Sequence, residues 1–336
     1  MNGFHPVNTA QSHRGFTLVE LLVAMALGIL LTTGIANIYI QNRQSYVQDE
    51  EIARLQENAR YAINLLKRDL TMAGFFGGLA DISVTPATLG SDCVAGVDWA
   101  TDISNPLDMV DSAATGSALA TVGGVTWNCI SNGNIVDQAD IVSIKRTADR
   151  YTLKNGSLNT GVVADDDQWY FRAFDNKSTL DFVNIPTGNT IAAAHATAGS
   201  KYDYWEYYNR IYFLRDFSKT AGDGIPTLCM AELSGNAMVN NCYVEGIEDL
   251  QIEIGIDVDD DSVPDHFDST PTLADLEEAV VVRVYLLVRS VNSVTGYTNT
   301  KSYNLGSKAV AAKNDGFIRR VFSTTVQMRN AKLPNA

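Results

Sequence analysis

The sequence predicts an α+β protein, with one long N-terminal helix followed by a mainly antiparallel β-sheet head carrying long loops. Two observations predict the helix. An apolar run from Phe16 to about Ile40 is interrupted by a single charge, Glu20, and beyond it small and aliphatic residues recur at three- and four-residue steps as far as Ala73. A third observation predicts the sheet: β-rich segments with alternating polarity recur through the rest of the chain.

The helix divides by chemistry. Residues 16–40 are apolar enough, at about 25 residues, to cross a bilayer. In residues 41–76 the pattern turns amphipathic. Ile52, Leu55, Ala59, Ala62, Leu66, Leu70 and Ala73 form one stripe, and Glu50, Glu51, Arg54, Glu57, Arg60, Lys67, Arg68 and Asp69 supply the polar positions. No proline interrupts this stretch, and Gly74, Gly77 and Gly78 supply the stop. A helix from Phe16 to Ala73 would be about 85 Å long. The short stripe and the β-rich region after it predict packing on the head rather than a coiled-coil stalk.

Residues 77–336 should form the head. Residues 80–135, rich in Gly, Ser, Thr, Asp and Asn, read as a long irregular insertion. The strand candidates are Asp140–Arg146, Trp169–Phe174, Leu180–Ile185, Asn209–Arg215, Leu250–Val258, Ala279–Ser290 and Phe317–Met328.

The N-terminus carries the most specific pattern. Residues 1–15 are polar, with Arg14 their one formal charge. A secretory signal would have a shorter apolar core and then a small-residue cleavage site. A plain anchor explains the length but leaves Glu20 without a reason, since a carboxylate within a membrane helix is costly and usually functional. Arg14-Gly15-Phe16-Thr17-Leu18-Val19-Glu20, followed by the spanning run, resembles the signal of type IV prepilins. The resemblance implies that residues 1–15 are a leader, removed by a prepilin peptidase between Gly15 and Phe16, and that the new Phe16 amine is methylated. It also implies that Glu20 pairs with the N-terminal amine of a neighbouring subunit, which would relieve the cost of a carboxylate in lipid and set axial register.

Further motifs narrow the resemblance. Leu55-Gln56-Glu57-Asn58-Ala59-Arg60-Tyr61-Ala62 with Arg68–Gly74, Val244–Gln251 and the Asp-rich turn after it, Val282–Ser290, and Arg319–Val326 are together similar to minor pilins of the PilW type. That family implies a single-pass protein of the bacterial inner membrane, its C-terminal head in the periplasm, later incorporated into a pilus. Its implied partners are other minor pilins, the major pilin, the prepilin peptidase, the inner-membrane assembly platform and membrane lipid. Its implied role is to prime pilus polymerisation near the tip. The alternative within the same machinery is a J-type minor pseudopilin of type II secretion.

Composition agrees with a structural role. A net charge of -14 disfavours nucleic acid as a main partner. Of the four histidines, His5 and His13 precede the cut, leaving His195 and His266. No catalytic set emerges around either of them, so an enzyme is not expected. His195 reads as a loop or packing residue. Cys93, Cys129, Cys229 and Cys242 contain no CxxC pair. An exported chain favours disulfides, and the short separations suggest Cys93–Cys129 and Cys229–Cys242, though three pairings exist.

One segment has the donors for a hard cation. Counted from Asp257, carboxylates fall at positions one, three, five, nine and twelve, namely Asp257, Asp259, Asp261, Asp265 and Asp268. The Val263 carbonyl stands at position seven, so the spacing matches a calcium loop. Ser262 replaces the usual glycine at position six, and Asp268 the usual glutamate at twelve. The competing reading is a solvated acidic hairpin turn. Asp165-Asp166-Asp167 has no ligand spacing and reads as a solvated turn.

Overall fold

The computed structural model describes residues 15–79, 82–161, 167–174, 179–197 and 199–330. The leader therefore lies outside the described residues except for Gly15, as do Asp165 and Asp166. The chain divides into two compact units, residues 1–50 and 51–336.

The first unit, where described, is the N-terminal part of helix α1 (Leu18–Met72). Every residue from Gly15 to Val47 is exposed. An 18-residue window of this helix has a mean hydropathy of 2.2, enough to cross a membrane by length and composition. The Thr32 and Thr33 hydroxyls donate to the Gly28 and Ile29 carbonyls, which satisfies them within the helix.

The second unit begins with the rest of α1. Its strands in chain order are β1 (Leu107–Ala113), β2 (Leu119–Ala120), β3 (Thr126–Trp127), β4 (Ala139–Thr147), β5 (Leu153–Lys154), β6 (Ser157–Leu158), β7 (Trp169–Phe174) and β8 (Thr179–Asn184). A short helix α2 (Ile191–His195) precedes β9 (Tyr202–Arg215), β10 (Thr227–Ser234), β11 (Ala237–Glu245), β12 (Ile247–Ile256) and β13 (His266–Asp268). After α3 (Leu273–Glu277) come β14 (Ala279–Arg289), β15 (Tyr303–Leu305), β16 (Lys308–Val310) and β17 (Arg319–Gln327).

One sheet runs β1-β4-β9-β10-β11, with β7 and β8 added along the first half of β9. The other runs β13-β12-β14-β17. All these strand pairs are antiparallel. The chain passes between the sheets through one residue. Gly246 alone separates β11 from β12 at φ +83, and a Cβ there would lie 2.6 Å from the Arg289 carbonyl oxygen. Only glycine fits both demands.

Side-chain alternation gives β9 two faces. Tyr212 and Leu214 join the core that holds Leu55, Ala59, Ala62, Leu66 and Leu70 of α1, together with Leu250, Val284 and Leu286 of the second sheet. Ile211 and Phe213 face a separate core with Trp127, Phe171, Phe182 and Tyr207. The amphipathic stripe therefore packs in the head, as its period predicts.

Two expectations need correction. Residues 80–135 are not wholly irregular, because β1 pairs with β4 across the edge of the larger sheet. Its sequence, LDMVDSA, hides the alternation: Asp108 is buried and accepts the Met109 and Gly123 N–H groups, while a bulge follows Val110. Glu51 and Asp69 were placed on the polar side of α1, yet both are buried. Each has partners inside the head, Asn292 for Glu51 and two arginines with a tyrosine for Asp69.

Candidate functional site

The N-terminal segment has the simplest local chemistry. Gly15, Phe16 and Thr17 precede the helix, and the Thr17 hydroxyl accepts the Glu20 N–H at 3.2 Å as a helix cap. Glu20 lies in the first helical turn, where its charge complements the helix dipole. A Cβ on Gly15 would meet nothing within 4 Å, so packing in this chain does not require glycine there. Among the described residues, no side chain pairs with the Glu20 carboxylate.

The acidic segment is the turn between β12 and β13. These strands pair at Ile254–Asp268 and Ile256–His266, which folds the loop into a hairpin. Asp257 is buried; its N–H donates to the Glu278 carbonyl, and its carboxylate accepts the Asp261 and Ser262 N–H groups at 3.2 and 2.9 Å. The Asp265 carboxylate accepts the Val258 N–H at 2.8 Å. Asp260 and Ser262 take φ values of 63° and 67°, so Ser262 adopts the left-handed turn for which glycine is the usual residue.

The hairpin brings three of the predicted ligands together: oxygens of Asp257, Asp259 and Asp265 lie within 4.8 Å of one another. The Asp261 carboxylate is engaged by the Val263 N–H at 2.7 Å, and that of Asp268 by Thr270. The negative charges of Asp261 and Asp265 push the Asp259 carboxyl above its ordinary range. A divalent cation would relieve that repulsion, and an all-oxygen donor set suits calcium.

A third constellation escaped the sequence reading. Asp69, near the C-terminal end of α1, accepts from Arg146 Nε and Nη2 at 3.0 and 2.7 Å. It also accepts from Arg210 Nη1 at 3.1 Å and from the Tyr212 hydroxyl at 2.5 Å. Arg210 continues to Glu232, and both guanidinium groups stack on the Tyr208 ring. Burial raises the Asp69 carboxyl, but Arg146 and Arg210 outweigh it and hold it below the ordinary range. These partners are 77 and 141 residues away in sequence, so no local spacing signals them. Glu51 similarly accepts the Asn292 side-chain amide at 2.8 Å, and Asn58 donates to the Glu245 carbonyl.

Both disulfides suggested by sequence separation are present, Cys93–Cys129 and Cys229–Cys242. The second joins facing residues of β10 and β11. His195 lies with its Nδ1 3.3 Å from the Tyr204 hydroxyl, in a packing role. Asp167, the described member of the second acidic cluster, accepts from the Thr187 hydroxyl.

Residues 211–330 match the family model of type IV pilus-assembly protein W. Residues 11–36 match the prokaryotic N-terminal methylation motif. No curated protein matches. Among solved structures, a type IV-like pilin from Thermus thermophilus matches at 13% identity, covering 83% of this chain and 97% of its own. Its TM-score of 0.38 is too low for any conclusion to rest on it. In two segments, the methylation motif around Gly15 and the assembly-protein match from the end of β9 through β17, this chain is therefore similar to type IV pilus-assembly proteins of the W type.

Proposed function

We propose that the chain is a minor pilin that joins other minor pilins in the inner membrane to prime polymerisation of the major pilin near the pilus tip. One observation carries this reading: a prepilin methylation motif and a pilus-assembly match occur on a single chain. A prepilin peptidase would cut between Gly15 and Phe16 and methylate the Phe16 amine. The apolar half of α1 would hold the protein in the membrane with its head in the periplasm. Glu20 would then pair with the terminal amine of a neighbour, because a carboxylate in an apolar helix bundle needs a cation.

Affinity capture of the full membrane-embedded chain tests the role. Minor pilins should accompany it; recovery of secretion pseudopilins in their place would move the chain to the type II system. Gly15→Ala should leave the precursor uncut, and a shortened band on a gel would contradict the assigned cleavage point. Glu20→Ala should be processed normally but incorporate poorly. Normal pili with that variant as the sole copy would remove the register role.

We also propose that the β12–β13 turn binds calcium through Asp257, Asp259 and Asp265, whose oxygens already converge. Asp261 and Asp268, whose oxygens lie outside that converging group, would complete the set with the Val263 carbonyl. Calorimetric titration of the full chain should show calcium heat that Asp259→Ala with Asp261→Ala abolishes. Absence of heat in the wild type would end this reading.

A further inference from the structure

The ends of the two sheets are not treated alike. A strand at a sheet edge offers unpaired N–H and C=O groups to any passing chain, and proteins usually blunt such edges with charge, proline, bulges or shortness. β1 has a bulge after Val110 and a charge at half-buried Asp111, and the Val122 N–H donates to its Met109 carbonyl. β8 carries Asp181, β13 has three residues, and β17 carries Arg319 and Arg320. β11 is nine residues long, AMVNNCYVE, and has no proline and no charge before its last residue.

Its outward side can be read from the hairpin. Gly235 and Asn236 form the turn that closes on the Ser234–Ala237 pair, so Ala237, Val239 and Asn241 bond inward to β10. Met238, Asn240 and Cys242 therefore present their backbone groups outward. The Asn236 carbonyl takes the Ser91 N–H at 3.0 Å at one end, and the Glu245 carbonyl takes Asn58 Nδ2 at 2.9 Å at the other. Ser91 also bridges Ala237 in parallel, which covers the start of the strand. Beyond that bridge, around Asn240 and Cys242, no backbone bond to the outward side is found among the described residues.

The strand is also held ready. Cys242 is bonded to Cys229 of β10, and the Asn240 side chain donates to the Cys129 carbonyl at 2.9 Å, so the edge is fixed from the face opposite α1. On the α1 face, Val239 and Tyr243 are 44% and 43% exposed, and Tyr61 of the helix is 51% exposed, which leaves an apolar shelf beside the open backbone.

We propose that β11 is a strand-addition site that takes an extended, uncharged segment with alternating apolar residues from a neighbouring pilin-type subunit. This rests on the reading of the chain as a pilus subunit. Only an extended chain satisfies a row of outward N–H and C=O groups spaced two residues apart, and backbone bonds then provide affinity while alternate side chains provide choice of partner. A charged segment would be disfavoured, because the strand offers no counter-charge before Glu245.

The test uses the full chain in cells. A photo-crosslinking residue is placed at Val239 or Asn241, or at exposed Ser112 on β1 as a control. The β11 positions should give adducts mapping to a single strand-forming segment of another pilin-type chain, and Ser112 none to that segment. Asn240→Pro removes an outward N–H and should reduce incorporation at least tenfold. Asn240→Ala keeps that N–H while losing the bond to Cys129, and should incorporate normally. Val239→Lys, on the exposed shelf, should reduce incorporation without lowering the amount of protein in the membrane. Adducts only to lipid, only to a second copy of this chain, or none, would overturn the proposal, as would normal incorporation of both Asn240→Pro and Val239→Lys. If affinity capture recovers minor pilins while the β11 adducts fail, the strand site falls and the minor-pilin role stands. If no pilin is recovered at all, that role falls first.

Discussion

The two stretches of α1 treat an acidic residue in opposite ways. Around Glu20 the helix is apolar and exposed on every side, and no partner for the carboxylate occurs among the described residues. Around Asp69 one face of the helix is buried, and the carboxylate meets two arginines and a tyrosine from the head. One stretch completes its chemistry within the chain; in the other, no partner for the charge occurs among the described residues. Under the proposed function, that second charge is completed by a neighbouring subunit.

Breaking the self-sufficient half should have the largest effect. Asp69→Ala leaves Arg210 short of one carboxylate and Arg146 without its ion pair, and should cost about 3–5 kcal/mol of head stability, read by urea unfolding. An unchanged midpoint would show that the network contributes nothing to the packing of α1. Leu70→Ala, at a fully buried position, should cost about 2–5 kcal/mol. Leu30→Ala, at an exposed one, should change head stability by under about 0.5 kcal/mol. Equal losses from both leucines would erase the distinction between the two stretches.

Acid sharpens the comparison further. Asp69 is held below its ordinary range, so its contribution is present above about pH 4 and is lost as pH falls. Asp140 has the opposite slope. Its buried carboxylate accepts the Ser112 and Ile252 N–H groups, and burial pushes its pKa up to about 7. Its contribution is full below about pH 4 and disappears as pH rises through 7, on the order of 2 kcal/mol between pH 5 and 7. Asp140→Asn should flatten that descent, and an unaltered slope would assign it to another group. Calcium should give a smaller change than acid, about 1.4 kcal/mol at tenfold excess over its dissociation constant, read as a rise in Tm that Asp259→Ala removes.

Much of this was legible because the responsible patterns are local. The spanning run, the glutamate five residues after Gly15 and the stripe from Leu55 to Leu70 all follow from spacing within one helix. β14 was readable from its nearly continuous apolar run, β12 from the alternation in QIEIGI, and β17 from its β-branched and aromatic residues. β10 and β11 were not. β10 lies between two strands and is buried on both faces, so it does not alternate, while β11 is largely exposed and polar. The acidic turn was legible as a ligand sequence, but which carboxylates converge depends on backbone bonds to Asp257 and Asp265 that spacing alone does not determine. The Asp69 network depends on contacts between distant segments, and it appeared in the sequence as ordinary surface charge.

The single-residue passage at Gly246 has a mechanical consequence. With no slack between β11 and β12, tension applied along β11 passes directly into the second sheet, where β12 is bonded along its length to β14. The Cys229–Cys242 bond ties the loaded strand covalently to β10, so the hairpin cannot peel apart from its free end. Tension entering the head at β11 would therefore load both sheets together instead of unzipping one from the other.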